Sequence, residues 1–225
     1  MTSTDAGGTP VERALALLAL HYRSFRKAVP FARKTGHPVP SDTRGWSQIL
    51  VSTLTGIDGL KRKKGTDLAD GSDVKAANVW EAIDTPRFNG VLKAGTKAKT
   101  AGTIESLDAV PYLFFVLWDH EPTHKTPRCR IWCVRPKHDT AFNGMCREWF
   151  ALRDGKKIVS NNFQLHPPRN KNSDVFRNKC GNLEYPLLFC AERREGTWKS
   201  VVFRPEVMKK GLCKSIIGPK GKAEI

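Results

Sequence analysis

Asp67, Asp73 and Lys75 stand in the spacing D-x5-D-x-K within the run Lys64-Gly65-Thr66-Asp67-Leu68-Ala69-Asp70-Gly71-Ser72-Asp73-Val74-Lys75. Alternate residues of a strand point to one face, so Asp73 and Lys75 project together if this stretch is extended. A turn of an odd number of residues, with Gly71 free to take positive φ, brings Asp67 opposite Lys75. A strict two-residue Asp-Gly turn sends Asp67 to the other face instead. Two carboxylates on one face bind a hard divalent cation, typically Mg²⁺, through oxygen. A lysine beside them can orient or deprotonate a water, or neutralise charge developing on a phosphate. That is the equipment of metal-assisted phosphodiester hydrolysis. An exposed hairpin carrying a charge ladder is the plainer alternative.

Other residues suit a nucleic-acid partner. Lys61, Lys63 and Lys64 belong to a basic run beside the acidic pair, placed to clamp backbone phosphates or to form a solvated loop. Asn78, Arg87 and Asn89 follow the proposed catalytic strand, and Arg and Asn make the bidentate contacts to guanine and adenine. Capping or turn formation is the commoner explanation of any one of them. Gln164, His166, Arg169, Asn170 and Lys171 crowd a segment stiffened by Pro167 and Pro168, the best candidate for a recognition loop. Cys129 and Cys133 share a strand face near His120 and His124, but about 13 Å of extended chain separates them, too far for one zinc ion. No zinc is expected.

These residues need elements to hold them. Thr9-Pro10-Val11-Glu12 reads as a capping box opening a helix that runs to about Ala28, before Pro30. A second helix, from about Thr43 to Leu54, places Trp46, Ile49, Leu50 and Thr53 on one face. Strands are expected at 66–69 and 72–77, turning at Asp70-Gly71, and the Pro- and Gly-containing stretch 84–108 reads mostly as loop. Apolar strands follow from Pro111 (YLFFVLWD) and Arg128 (RCRIWCVRP), then a helix near His138-Asp139. Further strands are expected at 162–166, 185–193 and 197–205. The pattern predicts an α/β protein: a single domain over 1–208, with a mixed β-sheet flanked by helices. Within it, N-terminal helices span 10–54, a catalytic core 56–150 and outer, DNA-recognising strands 151–208, with a loosely ordered basic tail over 209–225.

Composition narrows the partner. The chain has 225 residues and a net charge of +16, with the six cysteines and ordinary apolar content of a soluble protein. The longest apolar run is far short of the roughly 20 residues of a membrane span, and the first residues carry no export-signal pattern. A collagen, a membrane protein and a disulfide scaffold are excluded; reduced thiols and a prokaryotic cytoplasmic location are expected. Residues 111–225 hold 22 basic and 11 acidic residues, whereas six of the 22 acids fall between 58 and 84. A basic surface for phosphates and one acidic spot for a metal would divide the charge in this way.

The D-x5-D-x-K pattern after a helix, followed by two apolar strands, resembles the PD-(D/E)xK nuclease fold. The run DLADGSDVKAANVWEAIDTPRFNG, with LFFVLWD, RCRIWCVRP and NFQLHPPR, is similar to the MamI-type type II restriction endonucleases over about residues 43–205. The resemblance implies a homodimer that recognises a palindromic site in double-stranded DNA and cuts both strands with Mg²⁺, Mn²⁺ being a possible substitute. It implies Asp67 and Asp73 as metal ligands, the Val74 carbonyl as an extra ligand and Lys75 as the catalytic lysine. It implies a cognate methyltransferase as well. Thr66 stands where the superfamily motif has proline, and Asp58 and Asp70 remain alternatives for the first ligand. A non-catalytic basic DNA-binding protein and a structure-specific repair or junction nuclease are the rival readings.

Overall fold

A computed structural model describes residues 7–37, 42–60, 65–79, 85–93, 107–120, 126–168, 170 and 172–216. Helix α1, Pro10–Thr35, opens as expected: the Thr9 hydroxyl accepts the Glu12 amide at 3.2 Å and the Glu12 carboxylate accepts the Thr9 amide at 2.7 Å. It does not stop before Pro30. The proline removes one helical hydrogen bond, a cost of about 3 kcal/mol. Val29 and Ala32 on either side are buried in the stripe that also holds Ala14, Leu18, His21 and Phe25, and this packing carries the helix on. Gly36, at φ 70°, closes it by donating to Ala32 and Arg33.

Helix α2, Arg44–Thr55, buries Ser47, Leu50, Val51 and Leu54, one step round from the face expected; Ile49 is exposed. The Trp118 indole fixes this rotation by donating to Ser47 Oγ at 2.8 Å. No strand forms over 66–69. That stretch is a turn with a single antiparallel bridge, Gly59 to Leu68, and only β1, Asp73–Asn78, is a strand.

Strand β2, Phe88–Lys93, lies inside the stretch expected to be loop. The remaining elements are β3 (Leu113–Asp119), β4 (Arg128–Val134), α3 (Thr140–Asp154), β5 (Asn162–Leu165), β6 (Val175–Asn178), β7 (Gly181–Glu184), β8 (Leu187–Arg194), β9 (Thr197–Phe203), α4 (Val207–Lys210) and β10 (Lys214–Ser215). The main sheet has the order β1-β3-β4-β8-β9, with β1 and β3 parallel and the other pairs antiparallel. It is a mixed sheet flanked by helices, as expected. Two small sheets, β10-β7-β6 and β2-β5, lie beside it.

Every residue of β3 and β4 is buried, because both faces of the sheet are covered. Phe114, Val116, Trp118, Cys129, Ile131 and Cys133 pack against α1 and α2. Leu113, Phe115, Leu117 and Trp132 pack on the other side with Trp149 of α3, Phe163, Phe176 and Tyr185. Cys129 and Cys133 are thus core thiols, and burial pushes both well above the ordinary cysteine range. Residues 209–216, the described part of the tail expected to be loose, are tied down. Asp139, fully buried, caps α3 through the Phe142 amide and accepts the Cys213 amide at 2.7 Å. Among the described residues, no helix is long and apolar enough to cross a membrane.

Candidate active site

The acidic turn is built by its own backbone and by β3. The amides of Asp67 and Leu68 both donate to the Ser72 carbonyl, at 3.2 and 3.1 Å, leaving Ala69, Asp70 and Gly71 as the excursion between. Gly71 takes φ +94°, a conformation a side chain would strain. Asp70 spends its carboxylate inside this turn, accepting the Ser72 amide and hydroxyl, each at 2.9 Å. Asp58 contributes its carbonyl, which accepts the Ala69 amide, and is exposed. The Tyr112 amide donates to Ser72 Oγ at 3.2 Å and its carbonyl accepts the Asp73 amide at 3.0 Å, which pins the turn to the start of β3.

Asp67 then folds back onto β1. Its Oδ2 accepts the Val74 amide at 2.9 Å, and its Oδ1 accepts Gln48 Nε2, from α2, at 2.7 Å. Asp73 forms an ion pair with Lys75, both side chains about one-fifth exposed, and its Oδ1 shares the Val74 amide at 3.0 Å. Burial and the hydrogen-bonded Asp73 carboxyl push Asp67 up to about 6, against the Val74 amide and the Lys75 ammonium, which favour its charged form. β1 ends the sheet, and the Asp73 amide uses the β3 side of that strand. Val74, whose amide goes to Asp67, therefore turns its carbonyl to the outer edge as well. The arrangement is two carboxyls sharing one site, a lysine and an edge carbonyl, half-open to water.

The other expected residues scatter more widely. Asn78 is half-buried at the end of β1, Arg87 immediately precedes β2, and exposed Asn89 is its second residue; β2 packs beside β1. Gln164 is on β5, the partner of β2, and its carbonyl accepts Asn178 Nδ2 at 2.6 Å. His166 is bridged through its backbone to Arg177, at 2.9 and 3.0 Å. Asn170 is exposed, and its side chain accepts the Asn172 amide at 2.9 Å to shape a turn. Lys61, Lys63, Lys64, Arg169 and Lys171 lie outside the described residues. Gln48 was not foreseen. Its only sequence signal is a polar residue flanking the buried stripe of α2, and nothing in the sequence ties it to Asp67, 19 residues on.

A mixed sheet flanked by helices, with this carboxyl pair at its end strand, is consistent with a restriction-endonuclease fold. The chain belongs to the MamI restriction endonuclease family, whose model matches residues 30–204. It is 35% identical over 176 residues to the type II restriction enzyme MamI of Microbacterium ammoniaphilum. The match covers 73% of this chain and 56% of that protein, so the chain spans about half the length of the curated relative it matches. No solved structure matches.

Proposed function

We propose that this chain is a metal-dependent DNA endonuclease that hydrolyses phosphodiester bonds in both strands of a palindromic site as a homodimer. The observation that carries the reading is the meeting of Asp67, Asp73 and Lys75 at an accessible strand end, in a chain of this family.

The residues fit a hard divalent cation. The donor set is oxygen only, and two carboxyls in contact, one of them held up to about 6, form a site that a +2 ion relieves. Mg²⁺ keeps several waters and takes one or two carboxylates, which this pair can supply. Asp67, Asp73 and the Val74 carbonyl would hold it, with Mn²⁺ as a substitute. Bound there, such an ion lowers the pKa of a water and offsets charge on the scissile phosphate.

The chain's own groups do the rest. Gln48 and the Val74 amide fix the Asp67 carboxylate, and Asp73 aims the Lys75 ammonium. Lys75 then orients the attacking water and stabilises charge on the phosphoryl oxygens. The products are a 5′-phosphate and a 3′-hydroxyl. Asn89, Gln164 and His166, on the paired β2 and β5 region, are the proposed readers of base edges, and a cognate methyltransferase would protect the host site.

Digestion of a long natural DNA with Mg²⁺ is the test. Discrete, reproducible fragments are expected from wild type and none from Asp73→Ala or Lys75→Ala, both of which keep DNA binding. Cutting only at branched DNA would support a repair nuclease, and binding without cleavage, indifferent to EDTA, a non-catalytic protein. A variant that cuts at the wild-type rate overturns the site.

A further inference from the structure

A cavity of about 530 Å³ opens beside the acidic turn, lined by residues 108–112, Arg135, Lys137, His138, Met208 and Lys209. That volume is within the range of ligand sites, about 300–1,000 Å³. Its nearest wall is the turn's own support. Tyr112 lines the cavity and bonds Ser72 and Asp73 with its backbone, and a Cβ on Gly71 would lie 3.6 Å from Pro111 Cδ.

The other two walls are rigid and basic. The amides of His138 and Asp139 donate to the Arg135 carbonyl at 2.9 and 3.0 Å, closing the turn that carries Lys137. The Arg135 guanidinium donates to the carbonyls of Gly211, at 3.2 Å, and Lys209, at 2.5 Å, which holds α4 against that turn. Lys137 and Lys209 are exposed, and among the described residues neither takes part in an ion pair; Asp108 is the one acid of the lining. Two exposed lysine ammoniums over a concave surface of mixed polar and apolar character suit an anion.

We propose that this cavity binds a backbone phosphate of the DNA strand being cut, with Lys137 and Lys209 as its contacts. The inference rests on the nuclease reading and adds the place where the substrate is gripped. Register fixes the distance: Asp73 pairs with Leu113, which pairs with Val134, so the Arg135 end of β4 is two strand spacings, about 10 Å, from Asp73. The cavity therefore grips the backbone close to the bond cleaved, and a phosphate contact reads no sequence.

The test is the salt dependence of binding to a natural duplex fragment, with Ca²⁺ in place of Mg²⁺. The variants are Lys137→Ala/Lys209→Ala and, as a control on net charge, Lys199→Ala, whose lysine pairs with Glu195 on β9's side of the sheet. The double variant should bind about tenfold more weakly at 0.1 M salt, with a log–log salt slope shallower by about 1 to 2. The control should move neither. Fragment patterns with Mg²⁺ should stay those of wild type at saturating enzyme. Wild-type affinity and slope in the double variant would overturn the cavity while leaving the nuclease intact. A wild type that neither binds nor cuts duplex would overturn the nuclease reading itself.

Discussion

Asparagine at position 67 should cost the protein its activity and make it more stable. Asp67 is held up to about 6 by burial and by Asp73, against an ordinary 3.8. The folded chain therefore holds this proton more tightly than the unfolded chain, and stability is lost as pH rises from about 4 through 6. A rise from 3.8 to about 6 corresponds to about 3 kcal/mol at most. Asp67 is half-buried, so solvent screening reduces this to about 1–2 kcal/mol. Asparagine keeps an oxygen for the Val74 amide, and Gln48 can turn its own amide to meet the new NH₂, so packing is preserved. At this chain length the gain is about 2–8 °C in Tm. Thermal unfolding in EDTA at pH 8 should show it, and at pH 4, where the folded carboxyl is protonated and the unfolded one is close to its own pKa, the gap should nearly close. Mg²⁺ should raise the Tm of wild type and leave Asp67→Asn unmoved. An Asp67→Asn protein no more stable than wild type at pH 8 would refute the idea of two carboxyls crowded into one site.

Gln48→Leu leaves Asp67 with one fixed donor, and the Mg²⁺ concentration needed for half-maximal cleavage should rise 10- to 100-fold, as for other residues that orient a metal ligand. Arg128 and Asp119 form a buried ion pair at 2.8 Å, so Arg128→Met should cost about 3–5 kcal/mol in urea unfolding by removing the guanidinium from a buried carboxylate. His21 is buried among Trp46, Trp118 and His120, and burial lowers its pKa to about 4. His21's own contribution to stability should be lost as pH falls from about 6.5 to 4, by about 3 kcal/mol, and the difference in urea midpoint between wild type and His21→Phe should follow it across that range.

Local chemistry was legible from the residues alone. Thr9 with Glu12, Asp139 before Thr140, and the burial of both faces of β3 each depend on residues within a turn or a strand of one another. So did the pairing of Asp73 with Lys75, a consequence of the two-residue period. Stability of short pieces was less legible: α1 outlasts Pro30, and β2 survives in a Gly- and Pro-containing stretch, because tertiary burial outweighs propensity. The turn at 67–72 was ambiguous in sequence because its geometry is set from outside it. Tyr112, 40 residues on, fixes Ser72, and Gln48, 19 residues back, fixes Asp67. The residues able to do the chemistry were therefore determined by sequence. Which carboxylates meet, what holds them and where a basic cavity opens beside them were decided only by tertiary structure. Those contacts join chain segments far apart, and no local spacing records them.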